Sequence, residues 1–253
     1  MSQQSLLVTG AGSGIGYGIS IFLAAQGWRI IATDLSLPAA QATANEITQA
    51  GGDAIAYAMD VTSEADTQAV FDQEPQVHGI INNAGIQHID PIEDFPKDKW
   101  EMLIKILLVG PAITTGIAVK RMREQGYGRI INIGSIHGVV ASPFKSAYVS
   151  AKHGLMGLTK TVALETADTD ITINTVCPAY VKTPLVEKQI ADQARTRGLT
   201  EEQVISEVML KPMPKKAFIS FEELGGTCQF LLSDAAKNMT GQSLILDGGW
   251  TAT

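Results

Sequence analysis

The sequence predicts an α/β protein: one doubly wound, seven-stranded parallel sheet with helices on both faces. Two observations lead to this fold class. Short, β-rich apolar runs alternate with stretches long enough for crossover helices. Those runs are also nearly continuously apolar, as strands are when both faces are covered. At 253 residues the chain is short enough to remain a single domain.

The predicted strands are residues 6–8, 29–33, 54–57, 79–82, 129–133, 171–176 and 243–246. Ser63 with Asp66, and Ser220 with Glu223, have the capping-box spacing and mark two helix starts between strands. The stretch 183–221 departs from the regular alternation. It is richer in charge, Gln and Met, and Lys211-Pro212-Met213-Pro214 breaks it, so it reads as a helical insertion near the ligand, a candidate lid. No internal repeat or low-complexity tract is present.

Composition narrows the function classes. The first residues run directly into Leu6-Leu7-Val8, without a basic stretch and apolar signal core. No uninterrupted apolar run approaches the roughly 20 residues of a membrane span. A soluble, cytoplasmic protein without a membrane partner is therefore expected. Two cysteines, Cys177 and Cys228, are too few and too distant for a disulfide framework or a zinc set, so buried thiols and no metal are expected. A net charge of −7 and the lack of a basic stripe argue against nucleic acid. An anionic substrate would need a few local donors working against that field.

The first strand leads into Thr9-Gly10-Ala11-Gly12-Ser13-Gly14-Ile15-Gly16 and then an apolar helix. A strand, glycine-rich turn and helix N-terminus let backbone amides approach a pyrophosphate where the helix dipole favours an anion. Gly10, Gly14 and Gly16 are the glycines that matter, although such a turn alone also suits a tight turn without a ligand. Asp34 ends the second strand, where a carboxylate binds both ribose hydroxyls and repels a 2′-phosphate, so NAD is expected over NADP. A solvated loop aspartate is the plain alternative. Asp60-Val61 and Asn82-Asn83-Ala84-Gly85 follow strands three and four, where strand ends converge, though Asn and Gly also simply form turns.

Ser135 lies at the carboxyl end of the fifth strand, the edge where open α/β sheets hold ligands. Tyr148 and Lys152 have i, i+4 spacing and share one helix face. A nearby cation lowers a phenol's pKa, which would make Tyr148 a general acid/base near neutral pH, with Ser135 bonding the reacting oxygen. Tyr-x-x-x-Lys alone is common on ordinary helices. It gains meaning beside the glycine turn, the Asn-Asn-Ala-Gly segment and Ser135.

Together these motifs, with Cys177-Pro178 through Thr183-Pro184, resemble the classical short-chain dehydrogenase/reductase family in order and over nearly the whole chain. The resemblance implies a Rossmann fold, hydride transfer with a nicotinamide cofactor and a homotetramer. It assigns Ser135, Tyr148 and Lys152 to catalysis, with Lys152 also on the nicotinamide ribose. To the cofactor it adds Ser13, Ile15, Asn83, Ala84 and Gly85, and beyond the catalytic helix Pro178, Val181 and Thr183.

A narrower likeness, to bacterial D-3-hydroxybutyrate dehydrogenases, rests on Gly85-Ile86-Gln87-His88, Ile92-Glu93-Asp94-Phe95-Pro96, Lys145-Ser146-Ala147-Tyr148, residues 183–190 and Asp247-Gly248-Gly249-Trp250-Thr251. It implies that Gln87, His137, Lys145 and Gln189 hold a small carboxylate, with Trp250 as an apolar wall. Lys145 would supply a point charge, and the imidazole and amides directed donors. Taken singly, each has a plainer role: His137 as a loop brace, Lys145 as a solvated charge, Gln189 on an exposed helix face.

The pattern breaks at Leu107, where the family carries an Asn that supports a water-linked proton path. Leucine neither donates nor accepts, so slow proton exchange with solvent is expected. The segment 70–79 is short for the usual helix and loop, and Tyr180 stands where the nearer relatives carry Trp. The expected reaction is oxidation of D-3-hydroxybutyrate to acetoacetate with NAD. Another small hydroxy acid or a neutral secondary alcohol is the second reading, and a non-catalytic nicotinamide-binding protein the third.

Overall fold

In the computed structural model, which describes residues 3–252 without the side chains at 185, 188, 192, 193, 196 and 197, the predicted sheet is present. Among these residues seven strands, β1 (Ser5–Thr9), β2 (Arg29–Asp34), β3 (Ala54–Ala58), β4 (Gly79–Asn82), β5 (Gly128–Ile133), β6 (Ile171–Pro178) and β7 (Ser243–Leu246), pair in parallel in the order β3-β2-β1-β4-β5-β6-β7. Each predicted strand lies within an observed one. The order reverses between β1 and β4, which opens a crevice beyond the strand ends.

Strand alternation builds two cores from one sheet. Leu6 and Val8 of β1 face the layer of α1 (Gly14–Ala25), α2 (Leu37–Gln49) and, near the C-terminus, helix Phe221–Leu232. Leu7, between them, faces α3 (Glu64–Gln73) and the later helix Gly110–Gln125. Both predicted caps form: the Ser63 hydroxyl accepts from the Asp66 amide, and Ser220 with Glu223 makes a complete capping box.

α4 (Lys97–Ile104) runs through a π-helical turn, Lys105–Val109, into α5 (Gly110–Gln125). The combined helix Lys97–Gln125 is long and apolar enough to cross a membrane by length and composition. Counting uninterrupted apolar runs overlooked it, because Lys105 and a Gly-Pro pair interrupt the run without interrupting the helix. Leu103, Leu107, Ala118 and Met122 bury its inner face, whereas Met102 and Val109 are exposed.

α6 (Ser146–Glu165) buries Ala147, Ala151, Lys152, Leu155, Thr159 and Ala163, the first two against Leu103 and Leu107 of the long helix. After β6 come α7 (Pro184–Arg197), the short α8 (Glu201–Gln203) with its own capping box, a π-helical turn Val204–Met209, and α9 (Phe221–Leu232). The irregular stretch 183–221 is thus largely helical up to Met209.

Candidate active site

The dinucleotide end of the cleft is made mostly of backbone. Ser13 precedes α1 without a side-chain cap, so no hydroxyl competes for the first helical amides. Gly10 turns at φ 64°, and a Cβ there would stand 2.9 Å from the Ala84 Cα. The loop after β4 is tied to that turn: the Asn83 amide nitrogen and the Ala84 backbone N–H donate to the Thr9 carbonyl and hydroxyl, both at 2.9 Å. Gly16 does not line the cleft. A Cβ there would come 2.2 Å from the Gly10 carbonyl oxygen, so this glycine lets helix and turn touch. The turn therefore fits a pyrophosphate through open amides and close approach.

At the end of β2, Asp34 Oδ2 accepts from the Gly12 N–H and Oδ1 from the Ser36 N–H, each at 3.0 Å. These bonds aim the carboxylate into the cleft and leave lone pairs for hydroxyl donors. Asp60 Oδ1 accepts from the Thr62 amide and hydroxyl, both at 2.8 Å, which orients the loop after β3.

The cleft, about 670 Å³, continues to the ends of β5 and β6. Gly10, Ser13, Gly14, Ile15, Asp34, Asp60, Val61 and the Asn83-Ala84-Gly85 segment line one end. Ser135, His137, Lys145, Tyr148, Lys152, Gln87 and Gln189 line the other, with Pro178, Val181 and Thr183 between. Trp250 is not part of this wall. Its ring stands behind, 6.2 Å from the Tyr180 ring and 5.9 Å from the His137 ring. Tyr180 does line the cleft, as do Met59 and Ile106, which motif reading passed over. Nothing in their sequence context distinguishes Met59 and Ile106 from core residues.

Ser135 caps the 3-10 turn Ile136–Gly138, its hydroxyl accepting from the His137 N–H at 3.1 Å. Tyr148 and Lys152 occupy successive turns of α6, and the Lys152 ammonium lies 5.7 Å from the Tyr148 ring centre. Lys152 donates to the Ile133 carbonyl at 2.6 Å, which anchors it to the end of β5. The expectation that Lys152 lowers the Tyr148 pKa is not met. Burial raises the phenol above its ordinary value, with the Ser135 hydroxyl opposing that rise, and burial also lowers Lys152 to about 8.

Across the cleft, Lys145 Nζ donates to His137 Nε2 at 3.3 Å. An ammonium only donates, so Nε2 is the acceptor and the ring proton belongs on Nδ1. Burial, with the Lys145 charge adding to it, lowers His137 to about 4, so the imidazole is neutral at physiological pH. Among the described residues no carboxylate lies within ion-pair distance of Lys145. Gln87 Oε1 and His137 Nδ1 are buried and unpartnered. Leu107 is 1% exposed and packs with Leu103, Ala147, Ala151 and Tyr148, so the place of the family's Asn is apolar and filled.

Both cysteines are buried, and burial raises Cys177 to about 11 and Cys228 to about 12, so neither is a ready nucleophile.

Residues 4–194 match the model of the short chain dehydrogenase family. D-beta-hydroxybutyrate dehydrogenase of Rhizobium meliloti (strain 1021) is 47% identical, over 98% of this chain and 99% of that protein. The D-beta-hydroxybutyrate dehydrogenase of Cupriavidus necator is 43% identical, over 100% and 99%. Among solved structures, levodione reductase superposes with a TM-score of 0.91 at 29% identity, covering 99% of this chain and 98% of that one. With its glycine turn, Ser135, Tyr148 and Lys152 on one cleft, the chain belongs to the short-chain dehydrogenase family and is an oxidoreductase similar to 3-hydroxybutyrate dehydrogenases.

Proposed function

We propose that the protein oxidises D-3-hydroxybutyrate reversibly to acetoacetate with NAD. The observation that carries this reading is Lys145: a cation in the cleft wall, bonded to a neutral imidazole and without a carboxylate partner among the described residues. A small carboxylate supplies the missing charge, and Gln87 and Gln189 on the same wall supply amide donors. The names of the two hydroxybutyrate dehydrogenases agree with this chemistry.

When bound, the dinucleotide supplies the hydride acceptor. Burial keeps the Tyr148 phenol protonated, so it is the acid that donates to the carbonyl oxygen in reduction; in oxidation its phenolate form takes the hydroxyl proton, and Ser135 holds the oxygen in both directions. Lys152, fixed by the Ile133 carbonyl, contributes positive charge beside the phenol and a donor toward the ribose. Asp34 favours NAD, since a 2′-phosphate would face its carboxylate. The helical stretch from α7 to Met209 is read as a lid, because Gln189 and Val186 of α7 already line the cleft.

The reading includes a homotetramer in the cytoplasm. For the assembly, its support is exposed apolar side chains in separate places, Met102 and Val109 on the long helix, Phe230 on α9 and Ile245 on the edge strand β7, which further copies would cover. The long helix is then an assembly helix with one face on the core. A spectrophotometric scan of NADH formation with both 3-hydroxybutyrate enantiomers and with neutral secondary alcohols tests the function. Selective turnover of the D-enantiomer is expected. Faster turnover of a neutral alcohol, or none at all despite measurable NAD binding, overturns it.

A further inference from the structure

The chain end beyond β7 carries a carboxylate that the reaction does not use. Asp247 is nearly buried, and three donors converge on it. Its Oδ1 accepts from the Gly249 N–H at 2.9 Å, and its Oδ2 accepts from both the N–H and the hydroxyl of Thr251 at 2.7 Å. Its own carbonyl accepts from the Trp250 N–H at 3.2 Å. Burial works to raise this carboxyl, but the Thr251 and Gly249 donors more than offset it and hold it below the usual carboxylate range. Charge-assisted bonds of this kind are about twice as strong as neutral ones.

These bonds close a tight turn through Gly248 and Gly249, at φ 60° and 91°, leading into the 3-10 turn Trp250–Ala252. The turn lies on the segment 213–215, where the Lys215 N–H donates to the Gly248 carbonyl at 3.1 Å. Between its two bonded neighbours, Trp250 has little freedom. Its indole stacks on Tyr180 at 22° and meets the His137 ring edge-on at 84°. Tyr180 in turn lies 6.0 Å from Lys145 Nζ. One carboxylate outside the cleft therefore fixes a ring that touches two residues of the cleft wall.

We propose that Asp247 is a positioning residue of the carboxylate subsite: it seats Trp250 against Tyr180 and His137 and thereby holds the His137–Lys145 pair in register with the substrate. This rests on the hydroxy-acid reading. Asp247 touches neither substrate nor cofactor and acts through Trp250. A displaced Trp250 frees the His137 ring to turn, which breaks its bond to Lys145 and spreads the positive charge the carboxylate needs.

Asp247→Asn tests this, because the amide places a donor among the Thr251 and Gly249 donors while preserving size. It is made in a Trp28→Phe, Trp100→Phe background, so that emission reports Trp250 alone. The expected result is a red shift of that emission in the free protein and a KM for 3-hydroxybutyrate raised roughly 10-fold or more. kcat should stay within about twofold and NAD affinity should not change. Thr251→Val, which removes only the hydroxyl bond, should give a smaller change of the same kind, and Thr251→Ser should restore the parent values. It carries the test should Asp247→Asn not fold. Equal losses in kcat and NAD affinity, or an unchanged KM despite the red shift, overturn the proposal. A red shift with KM rising as much for a neutral secondary alcohol upholds the positioning role and overturns the carboxylate reading beneath it.

Discussion

The two ends of the cleft are built by different means. At the dinucleotide end the functional groups are mainly backbone: open amides at the start of α1, a glycine at positive φ, and a loop clamped to it by Asn83. Asp34 is the charged side chain there to which the proposed NAD preference is assigned, and its two backbone bonds hold it still. At the substrate end the groups are side chains brought from separate places, Gln87 from the loop after β4, His137 from a 3-10 turn, Lys145 from the start of α6 and Gln189 from α7. A backbone site is encoded locally, in one run of residues. A side-chain site depends on several loops agreeing, and it can be retuned one residue at a time.

The largest effect expected from this contrast is at Asp34. Asp34→Ala removes a charged acceptor for the ribose, so the KM for NAD should rise roughly 10- to 100-fold while preference over NADP shrinks. Initial rates with both cofactors measure this; unchanged discrimination would mean that the backbone alone selects the cofactor.

Next comes Leu107. Asn there should raise kcat severalfold by giving a relay water a partner, while burying an amide among Leu103, Ala147 and Ala151 costs about 1–3 kcal/mol. Turnover and urea unfolding of Leu107→Asn measure the two effects. An unchanged or lower rate in a folded variant would count against a missing relay.

The smallest effect is on stability. His137 titrates near 4 in the folded protein against 6.5 for a free imidazole, so between those values the unfolded chain binds more protons. Its contribution is therefore complete above about pH 6.5 and is lost as pH falls toward about 4. Replacing it by Gln should flatten the fall in urea midpoint from pH 7 to pH 5. An equally steep fall would place the sensitivity elsewhere.

The same contrast explains what the sequence made legible. The five inner strands could be read because burial on both faces forces nearly unbroken apolar runs, and the part-buried edge strands β3 and β7 carry short apolar runs of the same kind. The glycine turn, Asp34, Ser135, Tyr148 and Lys152 follow from local spacing, and they meet on one cleft. The raised Tyr148 phenol could not be read this way. The pair spacing suggests a cation beside the ring, but burial and the commitment of Lys152 to Ile133 appear only in three dimensions. Gly16 and Trp250 likewise lie in motifs yet support the wall from behind, the one by close packing and the other through Tyr180 and His137. The helix Lys97–Gln125 escaped a count of apolar runs because one lysine and a Gly-Pro pair do not end a helix packed on α6 and the sheet.

The central claim is that Lys145 makes this cleft a carboxylate site. The most direct measurement compares kcat/KM for D-3-hydroxybutyrate and for butan-2-ol, with NAD, in the parent protein and in Lys145→Ala. Loss of the charge should lower the hydroxy-acid value roughly 10- to 100-fold and leave the alcohol value nearly unchanged. An equal fall for both substrates, or no fall for the hydroxy acid, would contradict the account.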